Sequence, residues 1–176
     1  NIQAAARDGS SEATLLHASI SKHNHLEVVE KLTNIAGIDL NAMGGAPTET
    51  PLELAINLKK FEIVKFLLTK DAQVQPGTTI LHVAIQVNDG PILKYILGNY
   101  DNLTNSKDKD GNTPLHLAVQ ATYPRLVNSL LKKGADRSIK NNAGKTPEDL
   151  LKEKTETDNL TTNLKGAFNG TYSDIL

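Results

Sequence analysis

Apolar residues along the chain come in short runs at helical spacing, punctuated by Gly, Pro, Asn and Asp. The clearest run is Leu126, Val127, Leu130 and Leu131, whose three- and four-residue intervals give one apolar stripe on a short helix. Lys132 and Lys133 fall in its last turn, where cations suit the helix dipole, and Gly134 follows as a stop. Ahead of it, Leu115, Leu117 and Ala118 line a first short helix. Thr113 is its N-cap, and Pro114 sits at the first helical position, where a missing N–H costs nothing. Asp110-Gly111-Asn112 before them is turn chemistry. Two helices this short cannot bury their apolar faces alone, so the unit predicts neighbours.

The neighbours are in the sequence. Thr146-Pro147 repeats Thr113-Pro114 after 33 residues. Upstream, Thr79-Ile80-Leu81-His82-Val83-Ala84 leads by 34, Thr50-Pro51-Leu52-Glu53-Leu54-Ala55 leads that by 29, and Thr14-Leu15-Leu16-His17-Ala18 leads by a further 36. The apolar stripes are Leu15, Leu16, Ile20, Leu26, Val28, Val29 and Leu32 in the first copy, and Ile63, Val64, Leu67 and Leu68 in the second. The third carries Ile92, Leu93, Ile96 and Leu97, and the last Leu160, Leu164 and Phe168. Thr50-Pro51-Leu52-Glu53 reads as a capping box, with Glu53 reaching back to the Thr50 N–H. Asp71 stands where Gly134 ends its helix, and the stretch 72–79 predicts a finger four residues shorter than that before Thr146. Gly98 and Tyr100 predict an irregular helix end, and the polar stretch 101–112 the most extended finger. Glu148, Asp149, Lys152 and Glu153 make the fifth first-helix polar, as expected of a terminal unit with one solvent-facing side.

With Gly111 ahead and Gly134-Ala135-Asp136 behind, Thr113-Pro114-Leu115-His116-Leu117-Ala118 resembles the ankyrin repeat family, whose unit carries G-x-T-P-L-H-x-A and a later G-A-D. The resemblance implies an all-α repeat solenoid of stacked helix-turn-helix ankyrin repeats with β-hairpin or loop fingers. It places one ankyrin repeat domain over residues 1–176, in approximate units 11–45, 46–75, 76–108 and 109–141. A C-terminal capping unit covers 142–170, and 1–9 is the remnant of an N-terminal cap or a linker. Residues 170–176 are expected to fray. The family also implies that His17, His82 and His116 bond across the turns and tie neighbouring units together. Its usual binding face is a concave groove. Carried over position by position, the first helices contribute Ser21 and Lys22, Asn57 and Leu58, Gln86 and Val87, and Gln120 and Ala121. The fingers contribute Glu49, Lys109, Asp110, Asn112, Asn142 and Lys145, and Tyr123 lies in an inter-helix turn. Leu58 and Val87 are candidate apolar anchors among polar neighbours.

Composition narrows the chemistry. A formal net charge of −1 leaves no large basic footprint, so nucleic acid is not the expected partner. No apolar run reaches the length of a membrane span, so no membrane insertion is expected. The absence of cysteine excludes disulfides, Cys-based zinc sites and thiol catalysis. His23-Asn24-His25 lacks a third ligand at a suitable spacing and reads as an inter-helix turn. Asp108-Lys109-Asp110-Gly111-Asn112 resembles the start of a calcium loop, but Thr113 replaces the sixth-position Gly and Val119 the twelfth-position Glu. Gly144-Lys145-Thr146 resembles the end of a phosphate loop, but Ile139 stands where the earlier Gly is needed. Three glycosylation sequons, starting at Asn102, Asn159 and Asn169, read as unused in a mostly intracellular family. The expectation is a monomeric, cytoplasmic binding module for another protein, with no catalytic residue, metal or cofactor. The alternative is the substrate-targeting domain of a larger enzyme, or of a secreted bacterial effector acting in a host cytosol or nucleus, whose catalytic domain lies outside this chain.

Overall fold

The computed structural model of the chain describes residues 15–22, 26–35, 38–44, 48–70, 80–154 and 159–170. Thr14, the His23–His25 turn, Asp71, the finger before Thr79, Thr79 itself and 171–176 lie outside them. The described residues form ten short α-helices and one 3-10 turn. The helices are α1 (Leu15–Lys22), α2 (Leu26–Thr33), α3 (Pro51–Asn57), α4 (Phe61–Thr69), α5 (Ile80–Val87) and α6 (Gly90–Asn99). After the 3-10 turn Asp101–Leu103 come α7 (Pro114–Gln120), α8 (Pro124–Lys132), α9 (Pro147–Glu153) and α10 (Asn159–Phe168). Among the described residues the only β pairing is an isolated antiparallel bridge between Gly44 and Glu49, and the fingers at 108–112 and 141–145 are loops closed by tight turns.

The chain divides into two compact units, Asn1–Val74 with Asp89–Ile92, and Gln75–Asn88 with Leu93–Leu176. In the first, α1 pairs with α2 and α3 with α4, while α1 packs on α3 and α2 on α4. Like helix therefore stacks on like helix. Leu16, Ile20, Val29, Leu52, Ala55, Ile56, Ile63, Val64 and Leu67 are buried there. In the second unit α7 is sandwiched between α5 and α9, and α8 packs on α10. Leu81, Ala84, Ile85, Leu115, Ala118, Val119, Val127, Leu130, Leu164 and Phe168 are buried in it. Each helix has only two turns or so, so burying one stripe against a neighbouring repeat is what holds it in place.

Several positions depart from the sequence reading. Leu15 and Val28 are 38% exposed, so the stripe of the first repeat is narrower than its apolar residues suggest. Leu160 is 54% exposed, because the buried face of α10 runs Thr161, Leu164, Phe168 instead. Gly98 does not end α6, which continues to Asn99, and the Tyr100 N–H still donates to the Ile96 carbonyl at 3.0 Å. Nor is 101–112 one extended finger. Leu103, near its start, is fully buried, so the chain first folds into the 3-10 turn to sink that side chain. The finger proper starts at Asp108.

Candidate partner-binding face

Three first helices, α3, α7 and α9, start in the same way. The Thr50 N–H donates to Glu53 Oε2 at 2.9 Å, and the Glu53 N–H donates to Thr50 Oγ1 at 3.2 Å. Thr146 and Asp149 repeat this box at 2.9 and 3.1 Å. At Thr113 the third position holds an imidazole: His116 Nδ1 accepts the Thr113 N–H at 3.1 Å. Since Nδ1 accepts, the ring proton sits on Nε2, which donates to the Lys145 carbonyl at 3.0 Å. His82 Nε2 donates to the Asn112 carbonyl and His17 Nε2 to the Glu49 carbonyl, both at 2.8 Å. The accepting carbonyl always belongs to the residue just before the next repeat's N-cap threonine. A carboxylate at this position caps its own helix, whereas the His116 imidazole caps its helix and also fastens the following repeat. Burial pushes the imidazoles of His82 and His116 below the ordinary value of 6.5, favouring the neutral form that the double role of His116 requires. Hydrogen bonds from Thr146 hold the Asp149 carboxyl below its usual range.

The two complete fingers of the second unit share one geometry. Asp108 Oδ1 accepts the N–H groups of Asp110 and Asn112, and Asn141 Oδ1 accepts those of Ala143 and Lys145. The loops close through Asp108 N–H to the Asn112 carbonyl and Asn141 N–H to the Lys145 carbonyl, both at 2.9 Å. They are also joined to each other. The Asn142 N–H donates to the Asp110 carbonyl, and its side-chain Nδ2 donates to the Lys109 carbonyl, at 3.0 Å each. Gly111 sits at φ +75°, and a Cβ there would come within 2.4 Å of Asn142 Oδ1, so only glycine allows the fingers this close.

At the far end of α3, α5 and α7 the chain reverses through a left-handed residue: Lys59 at φ 55°, Asn88 at 52° and Thr122 at 57°. The two residues before each of these are the pairs Asn57-Leu58, Gln86-Val87 and Gln120-Ala121. In the first unit Lys22, Asn57 and Leu58 are exposed and Glu49 is half-buried, with Asn57 Nδ2 donating to Glu49 Oε2 at 2.6 Å. In the second, Gln86, Lys109, Asp110, Gln120, Ala121 and Asn142 are exposed, while Val87, Tyr123 and Lys145 are half-buried. Asn112 is a correction. It is buried, with Nδ2 toward Asp108 and Oδ1 accepting from Asn141 Nδ2, so it builds the finger rather than presenting itself. Lys145 is already paired with Glu153 at 2.7 Å. Sequence reasoning missed Glu153 and Lys154. Lys154 Nζ donates to the Gln120 carbonyl at 3.1 Å and to Thr122 Oγ1 at 2.9 Å, closing the C-terminal end of α7. Lys60 Nζ does the same for the Ile20 carbonyl in the first unit, but the two lysines occupy different repeat positions, so no pattern pointed to them.

Among the described residues no group of histidines and carboxylates suits a metal ion, and no helix is long and apolar enough to cross a membrane. Stacked helical pairs joined by loop fingers and tied by buried histidines define a helical-repeat scaffold. A profile for ankyrin repeats, in three copies, matches residues 52–141. The chain belongs to the ankyrin repeat family, whose repeats are protein-interaction modules. Two fowlpox virus proteins described as ankyrin repeat proteins are similar to it. One is 42% identical over 69 residues, covering 39% of this chain and 15% of the relative. The other is 33% identical over 142 residues, covering 74% of this chain and 41% of the relative. Human protein fem-1 homolog A is 32% identical over 107 residues, covering 54% of this chain and 16% of that protein. The chain therefore spans less than half the length of these relatives.

Proposed function

We propose that this chain binds a partner protein through the ends of its first helices and the fingers beside them, without catalysis of its own. The observation that carries this is the pairing of a fastened scaffold with unspent side chains. His82, His116, Asn112 and Asn141 are buried or consumed in ties between repeats, while Gln86, Gln120, Ala121, Lys109 and Asp110 remain exposed beside them. A pre-organised surface of this kind loses little entropy on binding. Leu58 in the first unit, exposed at 43%, and Val87 in the second each supply apolar area next to polar groups of their own unit. A monomer in the cytoplasm is the setting that fits such a module.

The length of the relatives favours a second reading, in which this array is the targeting part of a longer protein with its activity elsewhere. Both readings share the same binding face. The test is selection of a random displayed peptide library on the full chain. Selected clones should lose binding to a Gln86→Ala, Val87→Asp, Gln120→Ala variant whose helical circular dichroism is unchanged. Clones that bind the variant equally well, or a library that yields no clone, would refute the assignment of this face.

A further inference from the structure

Several asparagines at the fingers and helix ends are tethered through their side-chain amides. Asn57 Nδ2 donates to Glu49 Oε2, Asn99 Nδ2 to the Tyr95 carbonyl and Asn142 Nδ2 to the Lys109 carbonyl. Asn105 is held at both ends, its Nδ2 donating to the Gly134 carbonyl and its Oδ1 accepting the Asp136 N–H. Asn169 is different. It follows the last residue of α10, is exposed, and has no side-chain hydrogen bond among the described residues. It is also the one asparagine of the chain with glycine directly after it.

That neighbour matters because the main-chain nitrogen after an asparagine can attack its side-chain Cγ, and glycine puts no Cβ in the way. Gly170 is exposed at φ +71°, and a Cβ there would meet no atom of another described residue within 4 Å. Its N–H reaches the Ala167 carbonyl at 3.4 Å, longer than the usual limit of about 3.2 Å, so the nitrogen is weakly engaged. We propose that Asn169 is a site of spontaneous deamidation, the Gly170 nitrogen closing a five-membered succinimide on Asn169 Cγ. The Gly170 nitrogen gives up its proton as the new N–C bond forms. The Cγ–Nδ2 bond breaks, and ammonia leaves with that proton. Water then opens the ring at either carbonyl, giving aspartate, or isoaspartate with the main chain running through the former side chain. Nothing is oxidised or reduced. The product adds a negative charge at the C-terminal end of α10, where the helix dipole disfavours it, beside the buried Phe168.

The test incubates the folded full chain in mildly alkaline buffer for several weeks, with ion-exchange chromatography and peptide mapping by mass spectrometry at intervals. An acidic species should accumulate, and the exchange of NH2 for OH should map to the peptide holding Asn169 before any other asparagine converts. Protein isoaspartyl methyltransferase should label that same peptide from S-adenosylmethionine. Gly170→Ala should slow the conversion about tenfold, because a Cβ then crowds the attacking nitrogen. Asn169→Gln should remove both the acidic species and the label at this peptide. Earlier conversion of another asparagine, an equal rate in Gly170→Ala, an unlabelled peptide, or no acidic species at all would each overturn the assignment.

Discussion

Replacing His116 tests the tie between repeats, since its two nitrogens do separate work. In His116→Leu, the Thr113 N–H loses its acceptor inside a residue that is fully buried, at a cost of about 1–3 kcal/mol. The bond to the Lys145 carbonyl is worth about 0.5–1.5 kcal/mol, at the low end because that residue is half-buried and water can reach it. The expected loss is about 2–4 kcal/mol, or a drop in midpoint of roughly 5–15 °C for a chain of this size. His116→Gln is the discriminating partner. Its Oε1 and Nε2 are spaced like the two imidazole nitrogens, so it can accept from Thr113 and donate to Lys145, and should lose less than about 1 kcal/mol. The two variants also differ in pH response. The folded-state pKa of His116 lies below 6.5, so its neutral form is favoured by folding. That contribution is complete above pH 6.5 and is lost as pH falls through the folded value, because the unfolded chain takes up the proton first. Wild type should therefore weaken on acidification below pH 6.5, with His82 acting in the same sense, and His116→Gln should weaken less. Urea denaturation followed by circular dichroism across pH 5–8 measures both. A His116→Leu loss under about 0.5 kcal/mol, or identical pH profiles for wild type and His116→Gln, would refute the reasoning.

Two further outcomes check packing and fingers. Leu130→Ala, at a fully buried position on α8, should cost about 2–5 kcal/mol in the same denaturation assay, and a loss below half a kcal/mol would contradict the register of the repeat. Gly111→Ala should cost about 1–3 kcal/mol from left-handed strain and collision with Asn142, and should raise amide exchange at Asn142, whose N–H the Asp110 carbonyl accepts. Unchanged exchange there would mean the fingers are not joined as described.

The repeat architecture was readable because its signals are local and recur. Thr-Pro at 50, 113 and 146 marks helix starts without reference to any partner, and the stripe Ile63, Val64, Leu67 and Leu68 buries as its periodicity requires, while of the other stripe Val127 and Leu130 are buried and Leu126 and Leu131 half-buried. What could not be read is how polar side chains pair across repeats. Asn112 and Asn142 look alike in sequence, yet one is locked inside a finger and the other lies on its surface. Leu160 and Thr161 differ by one position on a helix whose exact rotation only packing decides, and the threonine went inside. Leu103 was hidden by its polar surroundings, since one apolar residue has no period. Asp149 looked like terminal polarity, and its cap emerged only with the backbone geometry.

The carbonyls that receive the histidines have a consequence for how such an array can change. Glu49, Asn112 and Lys145 each sit immediately before a threonine, although the spans between successive threonines differ. Residues can therefore be gained or lost upstream of that point without moving the fastening itself. These three fastened seams are insulated from edits to the loops around them, so the surface offered to another molecule is free to drift while those joints stay the same.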